Sequence, residues 1–159
     1  MYEVKEDAYS GIKLADLPSM NKDELVKKGD SLKNGTEEQI KAGLNLWMKA
    51  LKKDPTDAEL INKIASYQEM IDDNKGAMET YETGIQNIEQ KGNYDKKALG
   101  NLYLGKAQQE IYNKENRDYE QAKKDLDKSA ELKDMDVDQS LIIAIKEGIE
   151  KEKRRKNKT

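Results

Sequence analysis

The feature that most constrains this chain is a spacing that recurs three times. Gly43, Trp47 and Ala50 read small, then large and apolar four residues on, then small three residues later. Ala77, Tyr81 and Gly84 repeat the pattern, and Ala122, Leu126 and Ser129 give it again. Two small residues seven apart lie on one face of an α-helix, two turns apart, and let a neighbouring helix approach closely. The large residue between them fills the space the helices leave. The first two copies lie 34 residues apart, from Gly43 to Ala77, and the third lies 45 further on. Self-similarity of this length predicts helical hairpins stacked one on the next.

Helix-start signals agree with that reading. Asn21-x-x-Glu24, Thr36-x-x-Gln39, Thr56-x-x-Glu59, Asp118-x-x-Gln121 and Asp136-x-x-Gln139 fit a capping box or a close relative, each followed by apolar residues at helical spacing. The pattern predicts seven helices, over 22–34, 37–53, 57–72, 75–90, 94–114, 118–132 and 137–154. The short links between them favour antiparallel neighbours. Both prolines, Pro18 and Pro55, fall at helix boundaries. Residues 1–20 carry Tyr2, Tyr9, Ile12, Leu14 and Leu17 without clear periodicity, which predicts an extended arm laid along the body.

Composition narrows the class. Charged residues make up 38% and the hydrophobic class 35%, a low apolar share that suits either disorder or a thin structure with much surface per residue. The net charge of only -3 decides for folded, salt-bridge-laced helices, because balanced charges interleaved with apolar residues do not repel the chain into disorder. The 159 residues predict one domain.

The chain has no cysteine and no histidine, which removes disulfides, thiol nucleophiles, most zinc sites and every His-based triad. No 18-residue apolar run occurs, so no membrane-spanning helix is expected. The first residues do not read as a signal peptide, and the compartment stays open: cytoplasmic is the default, and an exported mature fragment also fits.

Two near-motifs fail on their chemistry. Gly100 to Ala107 nearly spells a phosphate-binding loop, but Ala107 stands where a hydroxyl must hold magnesium, and no strand precedes it. Asp134-Met-Asp136-Val-Asp138 opens like a calcium loop, yet Gln139 replaces its glycine and Ile145 its bidentate Glu. Helix capping explains those acids better. No metal or cofactor is therefore expected. The end of the chain, residues 151–159, carries six positive charges and one negative, leaving about -8 on the rest. That negative body argues against a nucleic-acid groove.

The triplet spacing resembles the second helix of the tetratricopeptide repeat (TPR), a 34-residue helix–turn–helix with the pattern W-x2-L-G-x2-Y…A-x3-F…P. Trp47, Tyr81 and Leu126 occupy the large slot, Pro55 matches the closing proline of the first repeat, and Gly29, Ala65 and Gly105 match the small residue of the first helices. The likeness covers about 22–134. The middle repeat is regular, and its neighbours are padded: an insertion falls near Gln90–Asp95, and the third repeat has a longer first helix or turn. The resemblance implies an all-α, right-handed solenoid of three hairpins, at about 21–56, 57–92 and 93–134. A capping helix at 135–154 covers its end, and a basic tail follows at 155–159. The apolar stripe Val137, Leu141, Ile142, Ile145 and Ile149 suits that covering role.

The resemblance also implies a function. First helices of such repeats line a concave groove that holds a peptide or partner protein, and here the groove-facing positions would be Asp30, Lys33, Asn62, Ser66, Glu69, Lys106 and Gln109. The expected role is a non-catalytic interaction module or assembly scaffold. The alternative is a structural protein that self-associates into a homo-oligomer through its terminal helix or arm. One TPR subclass clamps a C-terminal carboxylate with Lys, Asn and Arg. Val26, Asp30 and Lys63 depart from that set, so this activity is not expected.

Overall fold

A computed structural model describes residues 1–158, and among them every regular element is helical. The α-helices are α1 (Lys22–Asp30), α2 (Glu37–Lys53), α3 (Ala58–Met70), α4 (Asn74–Lys91), α5 (Lys96–Tyr112), α6 (Tyr119–Lys133) and α7 (Gln139–Asn157). Consecutive helices pack as hairpins, α1 with α2, α3 with α4 and α5 with α6. The first helices also meet between hairpins: α3 packs on α5, and α5 on α7.

Each helix starts where a side chain satisfies its free N–H groups. Asn21 accepts from Glu24 N, Asp118 from Gln121 N, and Thr36 forms a full capping box with Gln39. Two caps differ from the sequence-based expectation. Asp57, not Thr56, caps α3 by accepting from Leu60 N, and Asp138, not Asp136, caps α7 by accepting from Ser140 N. In both cases a carboxylate nearer the helix takes the orphan N–H. α1 stops at Asp30, short of the expected 34, because Leu32 N turns back to Gly29 O and Gly35 N to Leu32 O. α4 ends in Gly92, whose φ of +79° is the left-handed cap that glycine adopts without strain. α7 runs on to Asn157, through most of the basic stretch.

All nine residues of the recurring triplets are buried. Their roles are geometric: a Cβ on Gly29 would collide with the Trp47 indole, and one on Gly105 would lie 2.6 Å from the Tyr81 ring. Ser129 closes the third hairpin by donating its hydroxyl to Gly100 O at 2.7 Å. At Gly29, Gly84 and Gly105 a large side chain of an adjacent helix, Trp47, Ile61 and Tyr81 in turn, occupies the place a side chain would take, and at Gly43 the Gly29 backbone does.

The apolar interior forms three clusters in chain order. The first holds Leu25, Leu44, Leu46 and Trp47. The second holds Ile61, Tyr81, Ile88 and Leu102, and the third Ile111, Leu126, Leu141 and Ile145. The arm belongs to the first: Ala8, Tyr9 and Leu17 are buried in it. The arm is not extended throughout, since Glu6–Tyr9 and Leu14–Ser19 form short 3-10 turns.

Candidate interaction face

The seven positions singled out from the repeat lie on or just beyond the first helices of the three hairpins, and they do not form one surface. Asp30, at the end of α1, pairs with Lys63 of α3 at 2.9 Å. Lys63 is itself placed by Trp47: its ammonium lies 5.2 Å from the indole centroid, a cation–π distance, and Tyr67 meets the same indole edge-on at 5.1 Å. The indole N–H donates to Val26 O at 3.2 Å. The Trp47 stack thus sets the α1–α3 junction. Lys33 sits in the turn beyond α1, partly exposed.

Along α3, Asn62 and Ser66 are exposed and Glu69 is half-buried. Tyr81 donates its hydroxyl to Glu69 Oε1 at 3.1 Å. Burial raises the Glu69 carboxyl above its ordinary range, against hydrogen bonds from Tyr81 and Gln109 that lower it. Burial, with the Glu69 charge, likewise raises the Tyr81 phenol, so the ring stays a donor.

Gln109 and Lys106 depart from the groove expectation. Gln109 is buried, and its Oε1 accepts from Asn116 Nδ2 at 2.9 Å; the same Asn116 amide donates to Asn74 O. The physical reason is the 3-10 turn at Lys114–Asn116 after the long α5, which folds Asn116 back over Gln109. Lys106 turns towards α6, where its ammonium lies 2.7 Å from Asp125, and it also meets Glu110 of its own helix at 3.2 Å. It lines a recess of about 460 Å³ with Tyr103, Glu82, Glu89 and Asp125.

Glu110 is the most unusual ionisable group among the described residues. Its side chain is 2% exposed, and its Oε1 has no hydrogen-bond partner. Burial, then the hydrogen bond and charge of Asp125, push its carboxyl far above the ordinary range, and Lys106 only partly offsets them. Burial works against the Lys106 ammonium too, but Asp125 outweighs it and holds the lysine charged. Glu110 is therefore held neutral beside a charged Lys106. Neither the sequence spacing nor the repeat pointed to it. An acidic residue on the buried face of α5, beside Gln109, was the available signal.

What remains as an open polar face is α1 with α3. A groove of about 290 Å³ runs between them, lined by Lys22, Val26, Lys27, Asp57, Leu60 and Lys63. Lys22 fixes one end by pairing with Asp57 at 2.7 Å and Asp54 at 2.9 Å; those hydrogen bonds raise its pKa.

The near-motifs resolve as capping and packing. Gly100 to Ala107 lies within α5, and Asp138 is the cap of α7. Among residues 1–158 no three acidic side chains converge on a metal-holding geometry, and no helix is long and apolar enough to cross a membrane. No protein-family model, no curated protein and no solved structure matches the chain.

Proposed function

We propose that this chain is a non-catalytic interaction module of TPR-like architecture, holding an extended peptide or partner segment along its first helices. The observation that carries the reading is the α1–α3 face. Asp30 and Lys63 tie the two helices at 2.9 Å beside the narrow groove that Lys63 helps to line, and Asn62 and Ser66 stand exposed on α3. Exposed amide and hydroxyl groups on rigid helices suit hydrogen bonding to main chain, which rewards an extended ligand whatever its side chains. The absence of histidine and cysteine from the sequence supports a binding role over nucleophilic or general-base chemistry. The recognition residues of this reading are Asp30, Asn62, Ser66 and Lys63, of which Lys63 lines the groove and the others stand on the same α1–α3 face, with Lys33 and Glu69 at its margins.

A photo-cross-linking amino acid at position 62 of the full chain, expressed in its host, tests this. The expected result is a discrete adduct that Ser66→Arg abolishes and that the same probe at exposed Ile143 of α7 does not give. Identical adducts from both positions, or none from position 62, would defeat the reading.

A further inference from the structure

A second docking feature lies on the second helices and does not depend on the groove just described. Asn45, 3% exposed, stands between Leu44 and Leu46 in α2 and turns both ends of its amide to one residue of the arm. Its Oδ1 accepts from Tyr2 N at 2.8 Å, and its Nδ2 donates to Tyr2 O at 2.8 Å and to the Tyr9 hydroxyl at 3.0 Å. An amide that closes on the N–H and C=O of a single residue holds extended main chain, as a neighbouring strand would. The Tyr2 hydroxyl adds a side-chain contact, donating to Asp73 at the start of α4 at 2.5 Å. Farther along, Lys5 N reaches Glu38 at 3.5 Å, and Gln39 Nε2 donates to Ser10 Oγ at 2.9 Å. Residues 2–10 are therefore held as a bound peptide is held.

Two further observations make this segment separable. Ser10 and Gly11 both have positive φ, 52° and 85°, and the space around Gly11 is open. A serine in the left-handed region carries strain, and a short strained connection is the usual hinge of an exchanged element. Under Met1 and Tyr2 lies a recess of about 440 Å³ floored by Met48, Leu51, Ile64 and Gly84, so the arm's tip rests over an open groove, not a sealed core.

We propose that the groove on α2 and α4 is a docking site for an extended peptide, and that its occupant in trans is the arm of a second copy, exchanged about Ser10–Gly11. The fit of that occupant is given by the intramolecular contact: every bond from Tyr2 to Asn45 and Asp73 re-forms between copies. The tether favours the chain's own arm at low concentration, since a short linker gives an effective concentration in the ~mM range. Weakening one chain's arm and another chain's groove removes that advantage and leaves one intact arm and one intact groove to find each other.

The test mixes two full-length variants. Tyr2→Ala weakens the arm by removing its ring and the hydroxyl bond to Asp73, and spares the groove; Asn45→Ala removes both main-chain bonds from the groove and spares the arm. Sedimentation of each variant alone is expected to give the monomer mass, and the mixture is expected to shift to the dimer mass. Because the chain has no cysteine, Lys5→Cys in the Asn45→Ala chain and Glu38→Cys in the Tyr2→Ala chain provide the only thiols, and the dimer should trap as a disulfide. Should Asn45→Ala fail to melt cooperatively, Asn45→Asp takes its place, keeping the acceptor and losing the donor. A mixture that sediments only as monomers overturns the proposal, and so does a dimer that the thiol pair does not trap.

Discussion

Lys106 on α5 and Asp125 on α6 face each other at 2.7 Å, and this pair shares its site with a Glu110 whose carboxyl is buried and half-unpartnered. The consequence is a pH dependence with a definite sign. Glu110 is pushed up to about 9 in the folded chain, while an unfolded glutamate titrates near ~4.3. Between those values the folded state holds a proton that the unfolded state has released, so this group's stabilising contribution is complete below the lower value and is lost as pH rises through the upper one. Glu110→Gln mimics the neutral form. The variant should gain stability relative to the parent as pH rises from about 5 to about 9, with urea midpoints at several pH values as the measurement. A parallel pair of profiles would mean that Glu110 is ionised in the fold.

Gly29→Ala should destabilise the first hairpin. A methyl there meets the Trp47 indole on one side and Gly43 O at 3.0 Å on the other, and neither a buried ring nor a helix backbone yields freely. Overpacking of this kind costs about 1–3 kcal/mol. Thermal melting reads the loss, and the emission of Trp47, the chain's one tryptophan, should shift because its own site is perturbed.

Tyr81 separates packing from hydrogen bonding. Tyr81→Phe keeps the ring against Gly105 and loses the bond to Glu69, a net cost of about 1 kcal/mol. Tyr81→Ala opens a cavity between the second and third hairpins and should cost about 3–5 kcal/mol, as large aromatic truncations do. Equal costs for the two variants in chemical denaturation would contradict the packing role.

Asp134→Gly should stabilise. Asp134 ends α6 with φ 53°, a left-handed conformation that costs a residue with a Cβ roughly 1 kcal/mol and costs glycine almost nothing. A rise in melting temperature with unchanged far-ultraviolet dichroism is the expected outcome.

The fold was legible in the sequence where one periodicity governs many residues. The triplets around Trp47, Tyr81 and Leu126 implied close helix contacts, and Gly29 opposite Trp47 and Gly105 opposite Tyr81 leave no room for a side chain. Cap positions were less legible, because Thr56 and Asp57, or Asp136 and Asp138, offer rival acceptors within two residues, and only the local backbone chooses between them. The candidate site was the least legible. Lys106 and Gln109 occupy first-helix positions that a regular repeat would expose, but the padded third hairpin folds Asn116 over one and brings Asp125 to the other. Asn45 is illegible for the opposite reason. A lone amide between Leu44 and Leu46 carries no signal of its own, and only the arm supplies its partner.

The division of the interior into three clusters bears on how the molecule comes apart. Where one core serves a whole domain, any probe reports the same transition. Here each cluster is shared only by adjoining elements, and Trp47 belongs to the first. Nearest-neighbour coupling of this type lets the α6–α7 end open while the arm end stays closed. Tryptophan fluorescence and helical dichroism then follow different events: the former records the first hairpin alone, the latter the average of all three.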